Sequence, residues 1–136
     1  MSDREEIVSR VTTALNGRPS PVAIRNARKV DARGEQRGYW VVSDASGVIV
    51  ASGTGEEAFE HYCRAVGIDP ADRGTVIDAE GRILTPGYVD IHAHGAWEKS
   101  FDDGPDGIDV ARAGHAVHGT TRQVLSLITN PVDVIC

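Results

Sequence analysis

Asp90, His92 and His94 occupy every second position of the run Tyr88 to His94, directly after Thr85-Pro86-Gly87. Successive side chains of a strand point to opposite faces. The spacing therefore predicts Asp90, His92 and His94 on one face and Val89, Ile91 and Ala93 on the other. Two imidazoles on one face converge where a metal ion can sit, and imidazole nitrogen suits Zn²⁺ or a similar transition metal.

A catalytic zinc takes three protein ligands and a water, and the chain offers two in this geometry. Other candidates are poorer. His61 and Cys63 stand two apart on a helical pattern and so face different directions, which favours core or surface roles. The two cysteines, Cys63 and Cys136, are far apart and lack metal-ligand spacing, so neither a disulfide framework nor a zinc knuckle is expected. A reducing cytoplasm fits that usage.

With 136 residues, 40% hydrophobic and 25% charged, the chain has the composition of a soluble globular protein and material for one or two small cores. Its formal net charge of −6 argues against a surface that neutralises nucleic-acid phosphates or an anionic membrane. Asp3, Glu5 and Glu6 precede any apolar run, unlike a secretory or transit peptide, and no stretch approaches membrane-spanning length. The expected location is cytoplasmic, with no nucleic-acid or membrane partner.

The elements around the histidine strand can be read in turn. Ser2 and Glu5 form a capping-box pattern, and Ile7, Val8, Val11 and Leu15 share a helical face up to Asn16-Gly17, so residues 1–20 read as a helical appendage. Short β-rich runs follow: Val22 to Val30, Tyr39 to Ser43, Val48 to Ser52, Thr75 to Asp78 and Arg82 to Leu84. Asp44-Ala45-Ser46-Gly47 and Ala79-Glu80-Gly81 read as hairpin turns, giving a small antiparallel sheet over residues 21–85. Residues 55–74 interrupt it with a helical face of Ala58, Phe59, Tyr62, Cys63 and Val66, stopped by Gly67, which reads as an inserted lid or strut.

From Pro86 the pattern becomes strand, loop (Gly95 to Gly104), helix from Pro105 to Gly119, and a second strand, Thr121 to Thr129, apolar enough to be buried on both faces. This is one right-handed βαβ unit. Asn130-Pro131-Val132-Asp133 repeats the signals of a helix start, so residues 86–136 read as a chain cut off inside an α/β repeat.

Residues Arg82 to Gly95, with Pro86-Gly87-Tyr88-Val89-Asp90-Ile91-His92-Ala93-His94 at their centre, resemble the first barrel strand of the amidohydrolase superfamily. Within it, His94-Gly95, Ser100-Phe101-Asp102-Asp103-Gly104, His118-Gly119-Thr120-Thr121 and Ser126 to Pro131 are similar to the N-acetylglucosamine-6-phosphate deacetylase family. The resemblance runs from about Pro21 to Cys136 and covers the opening third of such an enzyme. It implies a mixed α/β fold: a small β-sandwich followed by the first βαβ unit of an incomplete metal-dependent hydrolase TIM barrel.

It also implies a function. One or two divalent metals, Zn²⁺ by ligand type, would serve hydrolysis of the N-acetyl group of an amino-sugar phosphate, a small-molecule substrate, in an enzyme that can be a homo-oligomer when complete. His92 and His94 match the family's metal-ligating pair, and Asp90 its buried companion, a brace rather than a ligand. The remaining catalytic, metal-binding and phosphate-binding residues would lie beyond Cys136, so the isolated chain is expected to be inactive. His115 and His118 fall on a helix that would lie outside the barrel, which favours structural roles, and Asp102, Asp103 and Asp106 read as solvated capping. One departure is that Ala96-Trp97-Glu98-Lys99 stands partly where the family has glycines. Two other readings share parts of the pattern: a dihydropyrimidinase-like or dihydroorotase-like amidohydrolase of cyclic amides, and a non-catalytic β-rich module.

Overall fold

From the N-terminus, helix α1 (Asp3–Asn16) precedes strands β1 (Val22–Asp31), β2 (Gly34–Ser43) and β3 (Ile49–Gly53), helix α2 (Glu56–Ala65), and the short strands β4 (Val76–Asp78) and β5 (Ile83–Leu84). Strands β6 (Tyr88–Ala93), β7 (Gly95–Ala96) and β8 (Lys99–Ser100), a 3-10 turn (Phe101–Asp103), helix α3 (Gly104–Ala116) and strand β9 (Thr120–Leu125) complete it. This computed structural model describes residues 3–128 and Pro131. The expected helix start at Asn130, the last residue of the expected second strand, Thr129, and Cys136 lie outside the described residues. The chain divides into two compact units, Arg18–Pro86 and α1 with the chain from Gly87 onward.

In the unit Arg18–Pro86, β2 pairs antiparallel with both β1 and β3. The β2–β3 turn forms where Asp44-Ala45-Ser46-Gly47 predicts it. The Asp44 carboxylate accepts from the Ser46 hydroxyl at 2.6 Å and from the Ser46 and Val48 amides at 2.8 and 3.1 Å. These bonds favour the charged form, and the Ser46 hydroxyl contributes most to holding the carboxyl below its usual range.

The second expected hairpin is replaced by a different connection. β4 and β5 both run parallel to β1, along Ala23–Arg25 and Arg28–Lys29, so the sheet is mixed. A bulge in β1 is the cause: Asn26 takes φ 55 where the β1–β2 register shifts. The Asn26 side chain donates to Asp78 at 2.8 Å, and its carbonyl accepts from the Gly81 amide at 2.7 Å. The edge is thereby broken into two short strands, which Ala79-Glu80-Gly81 joins.

Helix α2 is not a lid. Phe59 and Cys63 are fully buried with Ala23, Trp40, Val42, Ile68 and Val76. The Trp40 and Phe59 rings lie 6.1 Å apart, and the Trp40 indole N–H donates to the Gly55 carbonyl at 3.0 Å. A lone sheet must bury one apolar face, and among the described residues of this unit α2 does so in place of a second sheet.

In the other unit, β6 and β9 pair in parallel with α3 as the connection, and α1 packs on α3. The core is small: Ala93, Phe101 and Ala111, with Ala96 and Ile108 against them. β9, expected to be buried on both faces, instead leaves Val124 54% exposed, and on β6 Ile91 is 78% exposed. Among the described residues these two strands pair only with each other, and no further strand or helix covers that apolar surface. Among the described residues no helix is long and apolar enough to cross a membrane.

Candidate metal centre

The turn Pro86-Gly87 delivers the chain into β6 against β9. A Cβ on Gly87 would overlap the Thr121 side chain, so this close entry requires glycine. Along the pair, Asp90 faces Gln123 and Ala93 faces Leu125, three steps on β6 against two on β9. That is a bulge at Ile91 and His92, held by a 3.0 Å bond from the His92 amide to Asp90 Oδ1. The bulge breaks the expected alternation: Ala93 turns into the core while Val89 and Ile91 remain exposed.

The bulge keeps the two imidazoles together. The His92 and His94 rings stand 4.9 Å apart at 73°, with their Nε2 atoms at 3.0 Å. His94 Nδ1 lies 2.9 Å from the Ser126 carbonyl, which only accepts, so Nδ1 carries the proton. With its proton on Nδ1, the other nitrogen of a neutral His94 ring is an acceptor, and the His92–His94 Nε2 contact is a hydrogen bond in which either ring can be the donor. A second-site hydrogen bond that fixes the tautomer is what a metal-ligating histidine needs. At metal–nitrogen bonds of about 2.0–2.1 Å, two nitrogens at a tetrahedral angle stand about 3.3 Å apart, close to the separation here. The pair fits a divalent ion through both Nε2 atoms once His92 moves its proton to Nδ1.

Asp90 does not join the imidazoles as a third ligand. Its Oδ1 is engaged by the His92 amide and its Oδ2 lies 3.6 Å from His115 Nδ1 on α3. Among the described residues no group of three or more His, Cys, Asp and Glu side chains could hold a metal. His118, expected on the helix, falls in the turn after α3, and its Nδ1 lies 2.7 Å from the Gly114 carbonyl in the last turn of that helix. His61 packs edge-on against Tyr62, and burial pushes the Cys63 thiol up from its ordinary value.

The residues after the pair form a two-residue hairpin, β7 to β8, with Trp97 and Glu98 at its tip, both at positive φ (52° and 64°). Hairpin tips of this kind favour Asn-Gly, so two side chains are held in a costly conformation. A Cβ on Gly95 would overlap the Lys99 carbonyl, which fixes glycine at the base of the hairpin. Next, Ser100 and Asp103 form a reciprocal capping box around the 3-10 turn.

Asp102 has a longer reach than capping. It accepts from the Ile128 amide at 3.1 Å and the His94 carbonyl accepts from the Phe101 amide, while the Ser100 hydroxyl, 2.9 Å from Asp102 and 3.2 Å from the His94 carbonyl, has one proton to give to either. Asp102 thus clasps the stretch after β9, including the Ser126 carbonyl that orients His94. The Ser-Phe-Asp-Asp run signals a turn; a partner 26 residues away carries no local signal.

A separate cleft of about 720 Å³ lies in the unit Arg18–Pro86, bordered by Arg25, Glu56, Glu60, Arg64, Asp72 and Asp78 among others. Its charges pair with each other: Arg25 with Glu56 and Asp78, and Arg64 with Glu60.

No protein-family model matches the chain. Among curated proteins it is 28% identical over 120 residues to the imidazolonepropionase of Brevibacillus brevis, covering 83% of this chain and 26% of that one. It is 31% identical over 108 residues to the imidazolonepropionase of Sphingopyxis alaskensis, covering 71% and 24%. It is 27% identical over 92 residues to the adenine deaminase of Bacillus subtilis, covering 68% and 13%. Among solved structures it matches N-acetyl-D-glucosamine-6-phosphate deacetylase from Mycobacterium smegmatis with TM-score 0.56 and 27% identity, covering 83% of this chain and 28% of that one. The chain spans about a quarter of the length of the imidazolonepropionases and of this structure, and less of the deaminase. The homologues of this chain are hydrolases of the amidohydrolase superfamily, acting on carbon–nitrogen bonds, and its structural neighbour supports the same superfamily.

Proposed function

We propose that the chain is the metal-ligating opening part of an amidohydrolase that removes the N-acetyl group from an amino-sugar phosphate, as N-acetylglucosamine-6-phosphate deacetylase does. The observation that carries this reading is the convergence of His92 and His94 Nε2 at 3.0 Å, with His94 oriented by the Ser126 carbonyl. The Pro-Gly-Tyr-Val-Asp-Ile-His-Ala-His signature and the likeness to the deacetylase structure support it.

In this reading His92 and His94 hold a divalent ion, zinc by ligand type, and Asp90 sets the backbone that carries them. When bound, the ion supplies Lewis acidity toward an acyl carbonyl and an acidified water. The chain's own contribution is to fix two nitrogens and keep one lone pair free. A carboxylate to carry the proton to the leaving amine, a third ligand and a phosphate-binding group belong to the rest of such an enzyme. The chain alone is therefore an incomplete site, and in this reading the complete enzyme, which can be a homo-oligomer, works in the cytoplasm.

A second reading has a specific basis: the sequence relatives are imidazolonepropionases and adenine deaminases, whose names denote nitrogen heterocycles. It assigns the same histidine pair to a cyclic-amide substrate.

The test is to load the purified chain with Zn²⁺ and follow acetate release from N-acetylglucosamine 6-phosphate, together with binding by NMR. The expected result is no release above background, with added shifts at His94 and Ser100 for the sugar phosphate and none for hydantoin. Release at an enzymatic rate contradicts the incomplete site, and shifts with hydantoin alone favour the second reading.

A further inference from the structure

We infer that His115 is a positioning residue for the His92/His94 pair, holding the peptide that directly follows them. The inference deepens the metal-centre reading and rests on it for its consequence, although the tie itself exists without a metal. His115 Nε2 lies 3.1 Å from the Gly95 carbonyl, immediately after the pair. Its Nδ1 lies 3.6 Å from Asp90 Oδ2, immediately before it. The first contact is a hydrogen bond and carries the positioning; the second is longer than a hydrogen bond and only packs the ring beside Asp90.

The Gly95 contact passes directly to a ligand. The carbonyl of Gly95 only accepts, so the Nε2 proton of His115 holds the peptide that follows His94. Asp90, at the other end of the segment, sets the bulge by its own bond, its Oδ1 accepting from the His92 amide. The His115 ring is itself held by stacking on Phe101, with centroids at 6.4 Å and planes at 29°, and its side chain is 20% exposed. A half-buried donor on a packed ring keeps one geometry, which a bulged strand does not keep by itself.

His118 is the internal control, because from the turn after α3 it donates back to the Gly114 carbonyl at that helix's end and not to the histidine strand. An inert filler at position 115 needs only the stacking face. The proposed role needs a donor at the length of the imidazole.

The experiment uses the full 136-residue chain and the variants His115→Phe, His115→Gln, His115→Asn and His118→Ala. Readouts are the NMR cross-relaxation between the His92 and His94 ring protons without metal, Zn²⁺ affinity, and the melting midpoint. In His115→Phe the ring contact should be lost and Zn²⁺ affinity should fall about tenfold, the lower end for loss of an orienting partner. The midpoint should change little, and His118→Ala should change neither site readout.

His115→Gln, long enough to reach Gly95, should keep the ring contact, whereas the shorter His115→Asn should lose it. This second pair decides the matter if His115→Phe fails to fold. An unchanged ring contact in His115→Phe, or identical behaviour of Gln and Asn, overturns the inference. Failure of the wild-type chain to bind Zn²⁺ overturns the metal reading instead, and the metal-free ring contact still reports on His115.

Discussion

The two units of this chain solve the burial problem differently. In Arg18–Pro86 one helix covers one sheet, and Trp40, Phe59, Cys63 and Val42 close a core. In the unit with the histidine pair, Phe101 and Ala111 shield Ala93, but Val89 is 66% exposed and Ile91 78%. Apolar side chains give stability only where something covers them. The first unit therefore holds most of the packing energy, and the second holds the chemistry on a strand with an uncovered face.

The largest test of that contrast is truncation. Phe59→Ala should cost about 3–5 kcal/mol, read by chemical denaturation followed at the Trp40 indole. Phe101→Ala, in a smaller cluster, should cost about 2 kcal/mol or a little more, toward the tolerant end for large-to-small changes. Equal costs would erase the difference between the units.

A sharper probe lies at the hairpin beside the site. Gly95→Ala drives a Cβ into the Lys99 carbonyl, so amide protection across β7 and β8 should disappear while that of β1 to β3 is retained. Glu98→Gly should act in the opposite direction, stabilising its unit by about 1 kcal/mol through relief of the positive φ, despite loss of the exposed Arg4–Glu98 ion pair at 3.5 Å. A lower melting midpoint would show that the tip is not strained.

The smallest effect is acid sensitivity. Asp44, Asp72 and Asp78 in the first unit have carboxyls held below their ordinary value, chiefly by the Ser46 hydroxyl, the Gly74 amide and the Glu80 amide respectively. A depressed folded-state pKa stabilises above the ordinary value of 3.8 and is lost as pH falls through the folded value. The first unit should thus lose stability modestly below about pH 4, and Asp44→Asn should flatten that profile. An unchanged acid profile in Asp44→Asn would remove the turn from the account.

Features set by nearby residues were readable from sequence. Pro105 marks the start of α3, Asp44 to Gly47 make their turn, and Tyr88 to Ala93 form a strand, because caps, turns and strand preference depend on neighbours in sequence. Features set by distant partners were not. The β6 bulge depends on how Asp90 and Ala93 meet β9, and β4 and β5 follow a break at Asn26 rather than their own hairpin signal. α2 looks like an insertion until the sheet is seen to lack another cover. Asp102 acts through Ile128 and His115 through Gly95, which no spacing rule links to them.

The central claim is that His92 and His94 act as one ligand pair. Titrating Zn²⁺ into the metal-free chain while observing all five histidine rings by NMR tests it most directly. The account predicts that His92 and His94 shift together and saturably, that His61 and His118 do not, and that His92→Ala abolishes the response at His94. Independent shifts of His92 and His94, or a response at His94 that survives His92→Ala, would contradict it.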